Sequence, residues 1–385
     1  MPIERPPPGT GDPRQSREPA DPLPLLRAVL AGGRSAPRRA LLRGDGDSAD
    51  PELRVRLAAV PAAAIAAVLA WLEHPRHHLV GCDDPRSPPL LRQMPSPPLA
   101  LFVDGDPDLL WRPAVAVVGS RAASAGGRDN ARLFAAALGR AGLLVASGMA
   151  AGIDAAAHEA ALETPGGTVA VLGTGPDLAF PGHHADLRAR IAARGAVVSE
   201  HPPGTPARPG HFPSRNRIIA GLALGTLVVE AALRSGALIT ARQAGEAGRE
   251  VFAIPGSIHH PQARGCHRLI REGAQLVEHP DEVLAGIAPL AGRLAAWLAP
   301  EQAAAGPPPA PAEGVQLPLL APRADPDRLW AALGHDPTPM DALVERTGLT
   351  PATVSSMLLG MELDGRVAVE HGRYTRRSTG GGNAA

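Results

Sequence analysis

Six short apolar runs set the terms for any fold this chain can adopt. They are AVAVV at 114–118, LLVAS at 143–147, TVAVL at 168–172, AVVSE at 196–200, TLVVE at 226–230 and EVFAI at 250–254, and they begin 24–30 residues apart. Successive rather than alternating apolar positions describe strands covered on both faces. Each run is followed by Gly or polar residues and then an amphipathic helical stretch, which is the pattern of parallel βαβ units. The fold class expected is therefore α/β, an extended Rossmann-like, doubly wound, mostly parallel sheet. Aromatic residues are only 3% of the chain, so the core must be built from Ala, Leu, Val and Ile.

The flanks read differently. Residues 1–20 are charged and Pro-rich and are expected to be disordered. Residues 21–79 form a helical N-terminal domain, with Leu23, Leu25, Leu26, Val29 and Leu30 on one helix face. Residues 80–290 are the Rossmann-like core, entered through an extended stretch that ends in the strand-and-turn segment LALFVDGDPDLL. Residues 291–326 are Pro/Ala-rich and read as an extended linker. Residues 327–377 pattern as three helices and a hairpin, a C-terminal winged-helix domain, and 378–385 as a flexible tail. In the winged-helix unit Gly348 ends the second helix, while Thr350 caps the third with Pro351 in its first turn. Leu358, Met361 and Leu363 are placed on the third helix's buried side. That helix carries no Arg, which favours protein contact over duplex DNA for this unit.

Composition removes several chemistries. All 38 basic residues are Arg, so a P-loop and any Schiff-base lysine are excluded. Net charge is +0, and residues 114–290 hold 16 Arg against 14 acidic residues, so a polyanion site must be a local arrangement. Cys82 and Cys266 are too few and too far apart for a disulfide framework or a structural zinc site. The N-terminus lacks a signal core and no apolar run reaches membrane-spanning length, so a cytoplasmic protein without membrane contact is expected. No cofactor and no metal is called for.

In open α/β sheets ligands bind beyond the carboxyl ends of the strands. There the sequence places Gly119-Ser120-Arg121, then Ser147-Gly148, then Arg215-Asn216-Arg217, then Ser235-Gly236 with Thr240, and finally Gly265-Cys266. Small residues before helices admit a phosphate to bare N–H groups, and Arg forks onto phosphate oxygens. A row of such turns suits a polymer better than one nucleotide. The dinucleotide reading lacks GxGxxG after the first strand and an acidic residue after the second. Asp154 and His158 read as a helix cap and a packing residue, Glu200 and Glu230 as structural partners of the Arg-Asn-Arg segment. Cys266 reads as a small turn residue, His183 and His184 as solvated loop residues.

In order and spacing, GSRAAS at 119–124, SGMAAGIDAAAHEAAL at 147–162, VAVLGTGPDLAFP at 169–181, FPSRNRIIAGL at 212–222, VVEAALRSGALITARQAGEAGREVFAIPG at 228–256 and GCHRLIREGAQLV at 265–277 closely resemble the DNA-processing protein A family, DprA, also called Smf. The resemblance covers about 80–290, and the 327–377 unit resembles the winged helix many members carry; residues 21–79 fall where some carry a SAM-like domain. It implies a homodimeric single-stranded-DNA-binding recombination mediator that protects incoming strands in natural transformation, helps load the RecA recombinase and is not an enzyme. By motif it implies DNA contact at Gly119, Ser120, Arg121, Ser147, Gly148, Arg215, Asn216, Arg217, Ser235, Gly236, Thr240, Gly265 and Cys266. Gly182 stands where many members place Lys, and Arg208 is a candidate substitute; Phe212 is a candidate base-stacking aromatic. A nucleotide-processing enzyme, such as a LOG-like phosphoribohydrolase on a related fold, is the competing class, but EAALRSGALIT lacks that class's PGG loop. Gln316-Leu317-Pro318-Leu319-Leu320 resembles peptides that dock on the bacterial sliding clamp.

Overall fold

Strands and helices alternate from residue 114 onward, as the spacing of the apolar runs requires. The computed structural model describes residues 21–44, 51–84, 86–302, 326–334, 336–364, 366–370 and 372–376. Residues 1–20, the Gln316–Leu320 peptide and the tail lie outside the described residues.

The N-terminal helices are α1 Leu23–Leu30, α2 Ser35–Arg43, α3 Pro51–Ala58 and α4 Ala62–Leu72. They are followed by β1 His77–Gly81, α5 Pro89–Arg92 and β2 Ala100–Gly105. The central unit runs β3 Ala114–Val118, α6 Ala125–Arg140, β4 Leu144–Ser147, α7 Ile153–Ala161, β5 Thr168–Leu172, α8 Ala185–Arg194, β6 Ala196–Ser199 and α9 His211–Leu222. It continues through β7 Gly225–Val228, α10 Ala237–Glu246, β8 Glu250–Ala253, α11 Arg264–Arg271, β9 Gln275–Leu276 and α12 Pro280–Gln302.

One sheet of nine strands results, in the order β1-β2-β6-β5-β4-β3-β7-β8-β9. The chain steps outward from β3 to β6, then returns to place β7 parallel beside β3, pairing Val115 with Gly225 and Val118 with Val228. The direction of winding thus reverses between β3 and β7, and their carboxyl ends diverge there. On one face, Val115, Val117 and Val145 pack against Phe134 and Leu138 of α6 and Ile287 of α12. On the other, Ala116, Val118 and Val171 pack against Ile218, Ile219 and Leu222 of α9.

Two boundaries differ from the sequence reading. Residues 77–79 are strand rather than helical domain: β1 pairs antiparallel with β2, His77 opposite Asp104. Its anchor is Trp71, whose ring stacks on His77 at 3.9 Å, over a small core of Leu26, Val68 and Phe102. Residues 291–302 are helix rather than linker. Val283, Ile287, Leu290 and Leu294 recur at helical spacing and are all buried, so α12 runs on past residue 290. Gly286 lets α12 approach, since a Cβ there would lie 2.5 Å from the Phe252 ring.

The C-terminal unit comprises α13 Pro326–Ala332, β10 Thr338–Pro339, α14 Met340–Thr347, α15 Pro351–Leu363, β11 Val367–Glu370 and β12 Arg373–Arg376, a winged helix with its own core. Gly348 ends α14 at φ +65°, and the Thr350 hydroxyl accepts from Thr353 N. Leu358 and Met361 are buried, but Leu363 is 80% exposed, because it follows Met361 by two residues and turns to the opposite face.

Candidate nucleic-acid interface

A cleft of about 750 Å³ opens where the carboxyl ends of β3 and β7 part. Four loops build it.

The loop after β3 begins at Gly119, where a Cβ would strike Ile153 and the Glu230 carbonyl. Ser120 is buried, its hydroxyl accepting from Ala122 N at 3.1 Å. Arg121 is exposed, with its guanidinium 5.6 Å from the centroid of Phe212. Phe212 in turn lies 5.0 Å from Phe180, giving two rings side by side at the cleft wall.

The loop after β4 is held from beneath. Ser147 is fully buried and donates to Val117 O at 2.6 Å. Asp154 accepts from Gly148 N at 3.1 Å and Ala150 N at 3.4 Å, so it closes the turn that leads into α7. His158 is buried against Thr168 Oγ1 at 2.7 Å. His158 is the packing residue the sequence reading expected, but Asp154 is not the helix cap: Gly152 holds that position, and Asp154 lies in the first turn of α7 with its carboxylate turned back to the loop. Of the two loop histidines, His183 is exposed, while His184 holds Met149 O at 3.0 Å.

The Arg-Asn-Arg segment departs from the expected row of phosphate ligands. Arg215 is 6% exposed and donates to Gly148 O at 2.5 Å and to Val171 O. Burial pushes its pKa down to about 10, countered by Asp154, so the guanidinium stays charged inside the floor of the cleft. Burial likewise drives the Asp154 carboxyl up, with Arg215 and three backbone N–H groups opposing. Arg217 is already paired, its Nη2 2.5 Å from both oxygens of Glu200. Asn216 is buried and donates to Gly236 O at 3.3 Å, tying α9 to the turn before α10.

The loops after β7 and β8 complete the cleft. Ser235 and Gly236 line it, and Thr240 lies buried below. Gly265 donates to Ala231 O at 2.7 Å, and a Cβ there would overlap that carbonyl. Cys266 is fully buried with Sγ 3.7 Å from Val228 O, so its side chain cannot face a ligand. Burial pushes this thiol up to about 12, which leaves it inert. Glu230 does not partner the Arg-Asn-Arg segment, as the sequence suggested, but binds Ser124 and His260.

The structure therefore divides the sequence-selected residues. Arg121, Ser235 and Gly236 line the cleft with exposed or half-buried groups, Arg215 and Thr240 line it as buried ones, and Ser147 and Cys266 are internal supports. Sequence reasoning misses two groups. Phe180 joins Phe212 from 32 positions away, a pairing no local pattern reveals. Arg234 stands exposed on the lip of the cleft; its signal is its place beside Ser235 in the same turn. Arg121, Arg208 and Arg234 are all exposed, and among the described residues none of them forms an ion pair. Among the described residues no group of three His, Cys, Asp or Glu could hold a metal. No single described helix is long and apolar enough to cross a membrane.

Residues 78–288 match the family described as DNA recombination-mediator protein A, and residues 302–373 match the DprA winged helix domain. Protein Smf of Escherichia coli is 44% identical over 324 residues, covering 83% of each chain. DNA processing protein DprA of Streptococcus pneumoniae is 50% identical over 188 residues, 49% of this chain and 66% of that protein. The X-ray structure of that protein superposes with a TM-score of 0.61 at 38% identity, covering 67% of this chain and 95% of the other. A Helicobacter pylori DNA processing protein A, solved for its single-stranded DNA binding mode, matches with a TM-score of 0.51 at 25% identity over 57% of this chain and 98% of that one. With its nine-stranded sheet, its cleft at the β3/β7 reversal and its winged helix, this chain belongs to the DNA recombination-mediator protein A family, the DprA/Smf DNA-processing proteins.

Proposed function

We propose that the cleft binds single-stranded DNA without reading its sequence, and that the protein is a cytoplasmic, homodimeric recombination mediator that protects incoming strands and helps load RecA, as in natural transformation. The observation that carries the binding is the lining of one cleft by the Phe180–Phe212 ring pair and by Arg121 and Arg234, two exposed guanidinium groups that form no ion pair among the described residues. Guanidinium forks hold phosphates, and an aromatic face takes any unstacked base. A duplex hides its base faces in the stack, so a ring pair at the cleft wall favours a single strand. The RecA, dimer and transformation parts of the reading rest on membership of the family.

The role is binding rather than catalysis. Both carboxylates that end strands are engaged: Glu200 by Arg217, and Glu230 by Ser124 and His260. Neither is left to act as a general base on a ligand.

Fluorescence anisotropy of a labelled oligonucleotide at two salt concentrations, beside the matching duplex, tests the proposal. Salt-sensitive binding with preference for the single strand is the expected result. Arg121→Ala and Arg234→Ala should each flatten the log–log salt dependence by about 0.7 for each phosphate no longer neutralised. Equal affinity for duplex and single strand, or unchanged binding in both variants, would sink the assignment.

A further inference from the structure

Arg121 forms no ion pair among the described residues; its guanidinium meets the Phe212 ring at 5.6 Å, and its backbone is placed by its loop. We infer that Glu230 is the positioning residue of that loop; the inference rests on the single-strand reading of the cleft. The Glu230 carboxylate accepts from Ser124 N at 2.9 Å through Oε2 and from the Ser124 hydroxyl at 2.5 Å through Oε1. Oε1 also lies 3.0 Å from His260 Nε2, on the loop after β8. Ser124 Oγ in turn accepts from Gly127 N at 2.9 Å and caps α6. One carboxylate thus joins the loops after β3, β7 and β8.

Both ends of the Arg121 loop meet this residue. At the far end is the carboxylate grip on Ser124. At the near end Gly119 is so close that a Cβ would lie 2.9 Å from the Glu230 carbonyl oxygen. At Gly127 a Cβ would overlap the carboxylate itself, so the first turn of α6 is pared back to admit it. Burying a carboxylate is costly unless donors surround it, and here an N–H, an O–H and an imidazole do. Glu230 is 7% exposed and is absent from the cleft lining, so it acts on the strand through Arg121 rather than by touching it.

The test is a double-mutant cycle read by anisotropy on a labelled single strand, with thermal melts followed by circular dichroism. Glu230→Ala is expected to weaken binding about tenfold, the scale of a missing charge-assisted hydrogen bond. In an Arg121→Ala background the same change should cost less than about twofold, because the residue it positions is gone. Gly127→Ala, which keeps Glu230 but crowds it, should reproduce the loss. Glu230→Gln presents a donor where Ser124 already presents two, and carries the same cycle should the Ala variant fail to fold. A loss of equal size in both backgrounds overturns the positioning role, as does wild-type affinity in the Glu230 variants. A wild-type chain that does not bind the strand at all overturns the reading beneath it.

Discussion

Arg121 and Arg215 carry the same guanidinium and serve opposite ends. Arg121 is exposed over Phe212, whereas Arg215 is buried among carbonyls and beside Asp154. Arg121→Ala should leave thermal stability unchanged and reduce strand affinity. Arg215→Ala leaves the buried carbonyls of Gly148 and Val171 without their donor and should cost about 1–3 kcal/mol of stability, seen as a lower urea midpoint. Gly182 offers the converse experiment: a side chain there meets nothing within 4 Å, beside the rim residue His183. Gly182→Lys should therefore tighten binding and steepen the salt slope by about 0.7. The sequence displayed the site's motifs but not this division, because burial of Arg215 is decided by Gly148 and Val171, 67 and 44 positions away. His158 makes a pH prediction. Thr168 Oγ1 gives its proton to Val145 O at 2.7 Å, so the imidazole donates from Nδ1 and leaves Nε2 buried without a partner. Burial pushes its pKa down to about 3. As pH falls below about 6.5 the unfolded chain takes up a proton that the folded chain refuses, so stability is lost on acidification towards pH 3, by about 1.4 kcal/mol per pH unit. His158→Leu should flatten that dependence in urea titrations at pH 7 and pH 5; identical slopes in the two proteins would exclude it.

At the scale of elements, the central strands were legible because each is buried on both faces and so carries an uninterrupted apolar run. β1 was not, since HHLVG lies at the sheet edge and its first three residues are only partly buried. α12 was half legible. Its Ala- and Pro-containing second half resembles the segment that follows, and only the spacing of Ile287, Leu290 and Leu294 marks it as a helix packed on the sheet. That spacing has an energetic consequence. Leu294 is 4% exposed and lies against the same apolar cluster as Phe252 and Leu138. Leu294→Ala should cost about 2–4 kcal/mol, comparable with a central core leucine, whereas a linker residue would cost nothing measurable. The shift of the urea midpoint decides between the two. The cleft loops follow the same logic of support, with a buried side chain tying a turn to its neighbour. Asp154 serves the loop after β4, Asn216 the turn before α10 and Glu230 the loop after β3.

At the scale of the whole molecule, the winged helix and the sheet unit have separate apolar cores. The link between them is polar: Arg346 of α14 places Nε 2.8 Å and Nη2 2.6 Å from Asp129 Oδ2 of α6. Asp129 is 42% exposed and also pairs with Arg132, so this contact belongs to the class of surface ion pairs worth at most about 1 kcal/mol. It sits on the first turns of the helix that follows the Arg121 loop. The outer face of α15 argues against a phosphate-binding role there. It shows Ser355, Ser356, Leu359 and Leu363, with Leu359 59% and Leu363 80% exposed, and Glu362 and Asp364 beside them. An apolar, acidic face repels a polyanion. The cleft should accordingly hold its strand without the C-terminal unit. A chain ended at Gln302, which keeps α12 whole, should bind a short oligonucleotide within about threefold of the full chain, since the ion pair it gives up amounts to less than about 1 kcal/mol. Arg346→Glu in the full chain should match it. A tenfold or greater loss on truncation would mean that the strand runs on from the cleft across the winged helix, and the free arginines of the sheet unit would then be only part of its path.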